Sequence, residues 1–203
     1  MPIKEFPSGQ FPTISGQSGK YLTTNGSNLS WGSLSTSATI AQIATGSWTS
    51  GTSLEITSLS GYDRLRFRLR NANSINTYNL NARINSSSSA LYEHVWIGGM
   101  TNVVDWSEFL KNNYSETDSD INMSPNQALA NNTANALILD LYNCKESGFT
   151  MYEWTRIYRG FASSGYYGTS QGRGIFKSNV AVSSLQIVSN TAMSGGVYTI
   201  WGA

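Results

Sequence analysis

The chain has 203 residues, of which only 25 are charged, about 12% and roughly half the usual share of a soluble domain. Thirteen Lys and Arg against 12 Asp and Glu leave a net charge of +1, so the long-range field that would hold a polyanion or an acidic lipid surface is missing, and neither nucleic acid nor a membrane is expected as a partner. Ser, Thr, Asn and Gly supply 87 residues, yet 24 aromatics and 39% hydrophobic content set the chain apart from disordered sequences and predict a packed core. Cys144 is the single cysteine and cannot form an internal bridge. The opening MPIKEFPSGQ lacks the apolar run of a signal peptide, and no stretch reaches the roughly 18 apolar residues of a membrane helix. Synthesis in a cytosol, as a soluble protein, is the expectation.

Residues 1–36 carry three of the four prolines, five glycines and few apolar residues, and are predicted as an extended N-terminal arm. Phe6, Phe11, Ile14, Tyr21, Leu22, Leu29 and Trp31 punctuate it as isolated anchors; Tyr21, Leu22, Leu29 and Trp31 are the candidate docking residues. From about residue 38, period-two alternation predicts successive strands. In the run from Tyr62 to Asn71, Leu65, Phe67 and Leu69 face one way and Arg64, Arg66, Arg68 and Arg70 the other. Further strands are expected over Tyr78 to Asn85, Leu91 to Ile97 (ended by Gly98 and Gly99), Ala136 to Tyr142, Phe149 to Tyr158, Ile175 to Val182, Leu185 to Ser189 and Val197 to Trp201. Asp105 to Lys111 suggests one short helix, and the polar run KNNYSETDSDINMSPNQ after it a long surface loop. Seven to nine short strands with almost no helix predict an all-β, antiparallel two-sheet sandwich of jelly-roll type over residues 37–203.

Catalytic chemistry finds little support. His94 is the only histidine, in phase with Tyr92 and Trp96, and reads as a structural residue; Cys144 lies in no nucleophile motif. Glu116, Asp118 and Asp120 with Glu153 are the weak candidates for a glycosidase pair, and Asp118, Asp120 and Asn122 for a calcium site lacking the glycine and final glutamate of a calcium-binding hand. No cofactor motif occurs, so no catalytic, cofactor or metal residue is assigned and no enzyme is expected. The arginine ladder keeps two readings: a clasp for carboxylates of a neighbouring subunit or of acidic sugars, or a solvated sheet face. Trp96, Trp106, Trp154, Tyr152, Tyr158, Tyr166 and Tyr167 are expected in the core or an interface rather than as sugar platforms.

Two stretches carry a resemblance. SGKYLTTNGSNLSWGSL, Ser18 to Leu34, resembles a short module of tailed-bacteriophage fibre and other virion proteins with the pattern G-K-x-L-x-T-x-G-x-x-L-x-W, matched by Gly19, Lys20, Leu22, Thr24, Gly26, Leu29 and Trp31. More loosely, residues 38–203 are similar to jelly-roll domains of phage virion surface proteins, through SLEITSLSGYDRLRFRLR, YEHVWIGG, ALILDLYN and the ending SGGVYTIWGA, where Trp201 and Ala203 depart from the usual residues. The resemblance implies a non-enzymatic virion protein, a homotrimer bound to the major capsid protein or another virion component. The short region before the domain, without heptads or shaft repeats, favours a head decoration or cement protein. The alternatives are a tail-fibre or receptor-binding protein contacting host glycans and, more remotely, a polysaccharide-degrading enzyme.

Overall fold

In a computed structural model the described residues are 15–18, 20–24, 28–33, 40–74, 76, 78–101, 111–123, 135–159 and 167–203. The chain divides into two compact units, Met1–Thr39 and Ile40–Ala203. In the first, β1 (Lys20–Thr24) and β2 (Leu29–Ser33) pair as an antiparallel hairpin. Tyr21 stands opposite Gly32, and Leu22 opposite Trp31.

The second unit is all-β among its described residues. In chain order it comprises β3 (Ala41–Ser47), β4 (Ser53–Ile56), β5 (Arg64–Ser74), β6 (Leu80–Ile84), β7 (Tyr92–Thr101), β8 (Lys111–Asp118) and β9 (Ile121–Asn122), then β10 (Asn135–Tyr142), β11 (Thr150–Arg159), β12 (Tyr167–Phe176), β13 (Leu185–Ser189) and β14 (Met193–Gly202). One antiparallel sheet runs β3-β14-β5-β10-β11-β12-β7-β8, and a second runs β4-β13-β6-β9. The pairing is nested: β3 pairs with β14 in one sheet and β4 with β13 in the other, while β5 and β6 join them to β10 and β9. Two pairs, β7–β8 and β11–β12, are inserted into this nest and widen only the larger sheet.

Leu65, Phe67, Leu69, Leu137, Leu139, Leu141 and Ile200 of the larger sheet share one buried cluster with Ile56, Leu80, Ala82, Ile84, Leu185 and Ile187 of the smaller. Alternation along each strand puts these side chains on one face and the polar residues on the other. In β5 the phase changes at Asn71, whose φ of 52° and shifted register on both sides mark a bulge. Ala72 and Ser74 beyond it therefore point inward. A tight turn after β6 uses Asn85 and Ser86, both at φ 53°, with Ser87 N–H donating to the Ile84 carbonyl at 3.1 Å.

The predicted strands at β5, β6, β10, β11, β13 and β14 correspond to observed ones, but four expectations change. Among the described residues the second unit has twelve strands, not seven to nine. β7 runs through Gly98 and Gly99 to Thr101, because β12 pairs with it along that whole length. The strand expected over Ile175 to Val182 lies earlier, at Tyr167–Phe176: YGTSQGRGIF reads as a loop by composition but takes its order from β11 and β7 on either side. Lys111–Asp118, expected in a loop, is the edge strand β8, where backbone pairing to β7 suffices and polar residues are tolerated. The helix expected from Asp105 falls on residues outside the described set except Lys111, which begins β8.

Candidate functional site: the arginine face

On β5 the inward run Leu65, Phe67, Leu69 fixes the opposite face for Arg64, Arg66, Arg68 and Arg70. β10 lies alongside with the same logic. Leu137, Leu139 and Leu141 are buried, so Ile138, Asp140 and Tyr142 share the face of the arginines. The register sets Arg66 opposite Asp140, Arg68 opposite Ile138 and Arg64 opposite Tyr142.

Asp140 organises half of this ladder. Arg66 donates through Nε to Oδ1 at 2.8 Å and through Nη2 to Oδ2 at 2.9 Å, a two-bonded fork, and Arg64 Nη2 donates to Oδ1 at 3.1 Å. The two guanidinium groups cover the carboxylate, which is only 4% exposed although it lies on the outer face. Its hydrogen bonds hold the Arg66 guanidinium protonated above its usual range. Arg64 also lies over the Tyr142 ring, 4.9 Å from the centroid. The Tyr142 hydroxyl donates to Glu153 of β11; burial first, then that bond, push the phenol upward.

Arg68 and Arg70 differ. Both are exposed, and neither has an acid partner among the described residues. Arg68 sits between Thr199 of β14 and Ile138, while Trp201 of β14 stands next to Arg66. A pocket of about 260 Å³ opens here, lined by Arg64, Arg66, Arg68, Ile138 and Trp201 together with Ile40, Gly202 and Ala203. Farther along the same face, Met151 and Ile157 of β11 and Val95 and Ile97 of β7 are exposed and apolar.

The remaining candidates separate. Tyr21 and Leu22 of the hairpin are exposed, and Leu29 and Trp31 half-buried. Trp96, Trp154, Tyr152 and Tyr158 are buried; Trp106 and Tyr166 lie outside the described residues, and Tyr167 begins β12. His94 is buried, its Nδ1 3.4 Å from the Tyr152 hydroxyl and its Nε2 3.7 Å from Asp118; burial holds the imidazole below its usual range. Asp120 turns inward, accepting from Asn81 at 3.0 Å with Arg83 at 3.7 Å, and burial raises its carboxyl. Glu153 faces outward on β11, away from Asp120, so the structure does not bring those two carboxylates together. Glu116 falls in β8 and Asn122 in β9. No group of three or more His, Cys, Asp or Glu side chains among the described residues is arranged to hold a metal ion. Cys144 is buried, with its thiol pushed up to about 12, first by desolvation.

Sequence reasoning passed over Asp140, Ile138 and Trp201. The signal for Asp140 was available: it is the lone acid in an apolar strand, in phase with a tyrosine. Its pairing with the ladder depends on a register between residues some 75 positions apart. Compared with known proteins, the chain matches no family model, no curated protein and no solved structure.

Proposed function

We propose that the chain is a non-enzymatic structural protein of a tailed-phage virion, a trimeric decoration or cement protein that stabilises the head by surface contact. The observation carrying this reading is the strand order. The nested order β3-β14-β5-β10 with β4-β13-β6-β9 supports reading this unit as a jelly roll, an eight-stranded antiparallel ribbon rolled on itself that is frequent in viral capsid and lectin domains. The β7–β8 and β11–β12 insertions add a broad sheet face whose exposed Met151, Ile157, Val95 and Ile97 suit packing against sister copies. Low overall charge supports dense assembly, since few ions must be desolvated. The hairpin, which holds most of the phage-like module, offers exposed Tyr21 and Leu22 for attachment to the capsid protein, and three such hairpins on one trimer would act together.

The test is copy number in purified particles by quantitative gel densitometry. Hundreds of copies per virion are expected for a head-coating protein; a few copies would favour the tail-fibre reading, and absence from particles would end both. Deleting residues 1–31 is expected to leave a folded trimer that no longer decorates heads.

A further inference from the structure

The arginine ladder is divided by function, and we propose that the Arg68–Trp201 pocket is a binding site for a carboxylate-bearing sugar ring of the hexuronate or sialate class. Three cations, Arg64, Arg66 and Arg68, line the pocket. The carboxylate they reach, Asp140, is held by Arg64 and Arg66 together. Arg66 has the Nε/Nη2 edge of its guanidinium fixed on Asp140, and Arg64 is held between Asp140 and Tyr142. These two are therefore parts of the wall. Arg68 is the lining arginine with no acid partner among the described residues, and a planar carboxylate is the group that a guanidinium binds through two parallel bonds.

The other walls specify what carries the carboxylate. Ile138 and Trp201 stand on the strands flanking β5, and Ile40 also lines the pocket, so apolar walls surround the guanidinium of Arg68. Sites of this kind select amphipathic ligands, the apolar body on the walls and the charged group on the specific contact. The C–H face of a pyranose suits the indole of Trp201, and about 260 Å³ has room for a single ring rather than a chain. The pocket lies on β14, β5 and β10, apart from the apolar strip on β11 and β7. The assignment does not rest on the virion reading, because failure to bind sugar would leave copy number in particles unchanged.

The experiment titrates the full chain with glucuronate and with N-acetylneuraminate, following the indole N–H resonance of Trp201, assigned by Trp201→Phe. Saturable shifts with at least one of the two acids are expected, and the one that binds identifies the source of the carboxylate. Arg68→Ala should weaken this binding about tenfold or more, the loss of a hydrogen-bonded charge pair. Arg70→Ala, on the same strand outside the pocket, should leave it unchanged, and Arg68→Lys should fall between. Glucose, which lacks the carboxylate, and acetate, which lacks the ring, should each bind at least about tenfold more weakly. No saturable Trp201 shift with either acid, equal binding by Arg68→Ala, equal binding of acetate or tighter binding of glucose 6-phosphate would each overturn the assignment.

Discussion

Trp154 on β11 and Gly172 on β12 are direct cross-strand partners, and the indole occupies the space of the missing side chain: a Cβ on Gly172 would lie 2.6 Å from its Nε1. The same relationship recurs along this strand pair, with Tyr152 over Gly174 and Tyr158 over Gly168. It returns at Tyr198 over Gly46 and at Tyr21 over Gly32 in the hairpin. A glycine in a strand weakens it by entropy and by exposing backbone; an aromatic ring laid across it from the neighbour restores packing. This arrangement explains how so glycine-rich a segment as β12 holds a central place in the sheet.

Gly172→Ala and Gly168→Ala should therefore each destabilise the fold by about 1–3 kcal/mol through overpacking, visible in urea unfolding. Gly174→Ala should cost more, because its Cβ would meet the Glu93 carbonyl oxygen at 2.0 Å, a backbone atom that cannot rotate aside. Equal midpoints for wild type and Gly172→Ala would disprove the packing role of the indole.

Asp140→Asn removes the negative charge and one of the two acceptor oxygens that serve Arg64 and Arg66, while keeping the side chain's shape. Both guanidinium groups are partly exposed and regain water, so the expected loss is modest, about 1 kcal/mol. In a double-mutant cycle, coupling should appear for Asp140 with Arg66 and be absent for Asp140 with Arg70.

Acid should destabilise the protein first through His94. Its imidazole is held below the ordinary value of 6.5 by burial, so the unfolded chain takes up a proton before the folded one does. Stability should fall as pH drops below about 6.5, by at most about 1.4 kcal/mol per pH unit for one proton. Asp120 acts in the opposite sense at lower pH. Its carboxyl is raised above the ordinary 3.8, so the folded state gains the proton first and part of the loss is offset. Thermal midpoints measured from pH 7 to 4 should show this shape, and His94→Gln should flatten the first slope.

Cys144 should be inert in the folded protein. With its thiol buried and pushed up to about 12, the thiolate is scarce near neutrality, and an aromatic disulfide reagent should react only once denaturant is added. Rapid native labelling at pH 8 would show that this part of the core opens readily.

Much of the fold was legible where a local pattern is strong. Leu65, Phe67 and Leu69 set their own phase, as did Leu137, Leu139 and Leu141, and the burial of His94 followed from Tyr92 and Trp96. β8 and β12 were hidden because polar and glycine-rich runs carry no periodic signal of their own. β11 runs against hydropathy at two positions. Arg156 is buried and Ile157 is 61% exposed, the reverse of what hydropathy suggests. Tyr152, Trp154 and Tyr158 fix the inward phase, and Arg156 goes in with them, its guanidinium 4.2 Å from the centre of the Tyr158 ring.

The sequence by itself determined the all-β class, the faces of the apolar strands, the absence of an internal disulfide and the existence of four arginines in phase. Only the tertiary structure decided what those arginines are. Placing Asp140 beside Arg66 and Trp201 on its other side requires strands from three distant parts of the chain in one register. Alternation fixes which face a side chain takes, but its neighbours on that face belong to other strands, and their alignment is set by the packing of the whole sheet.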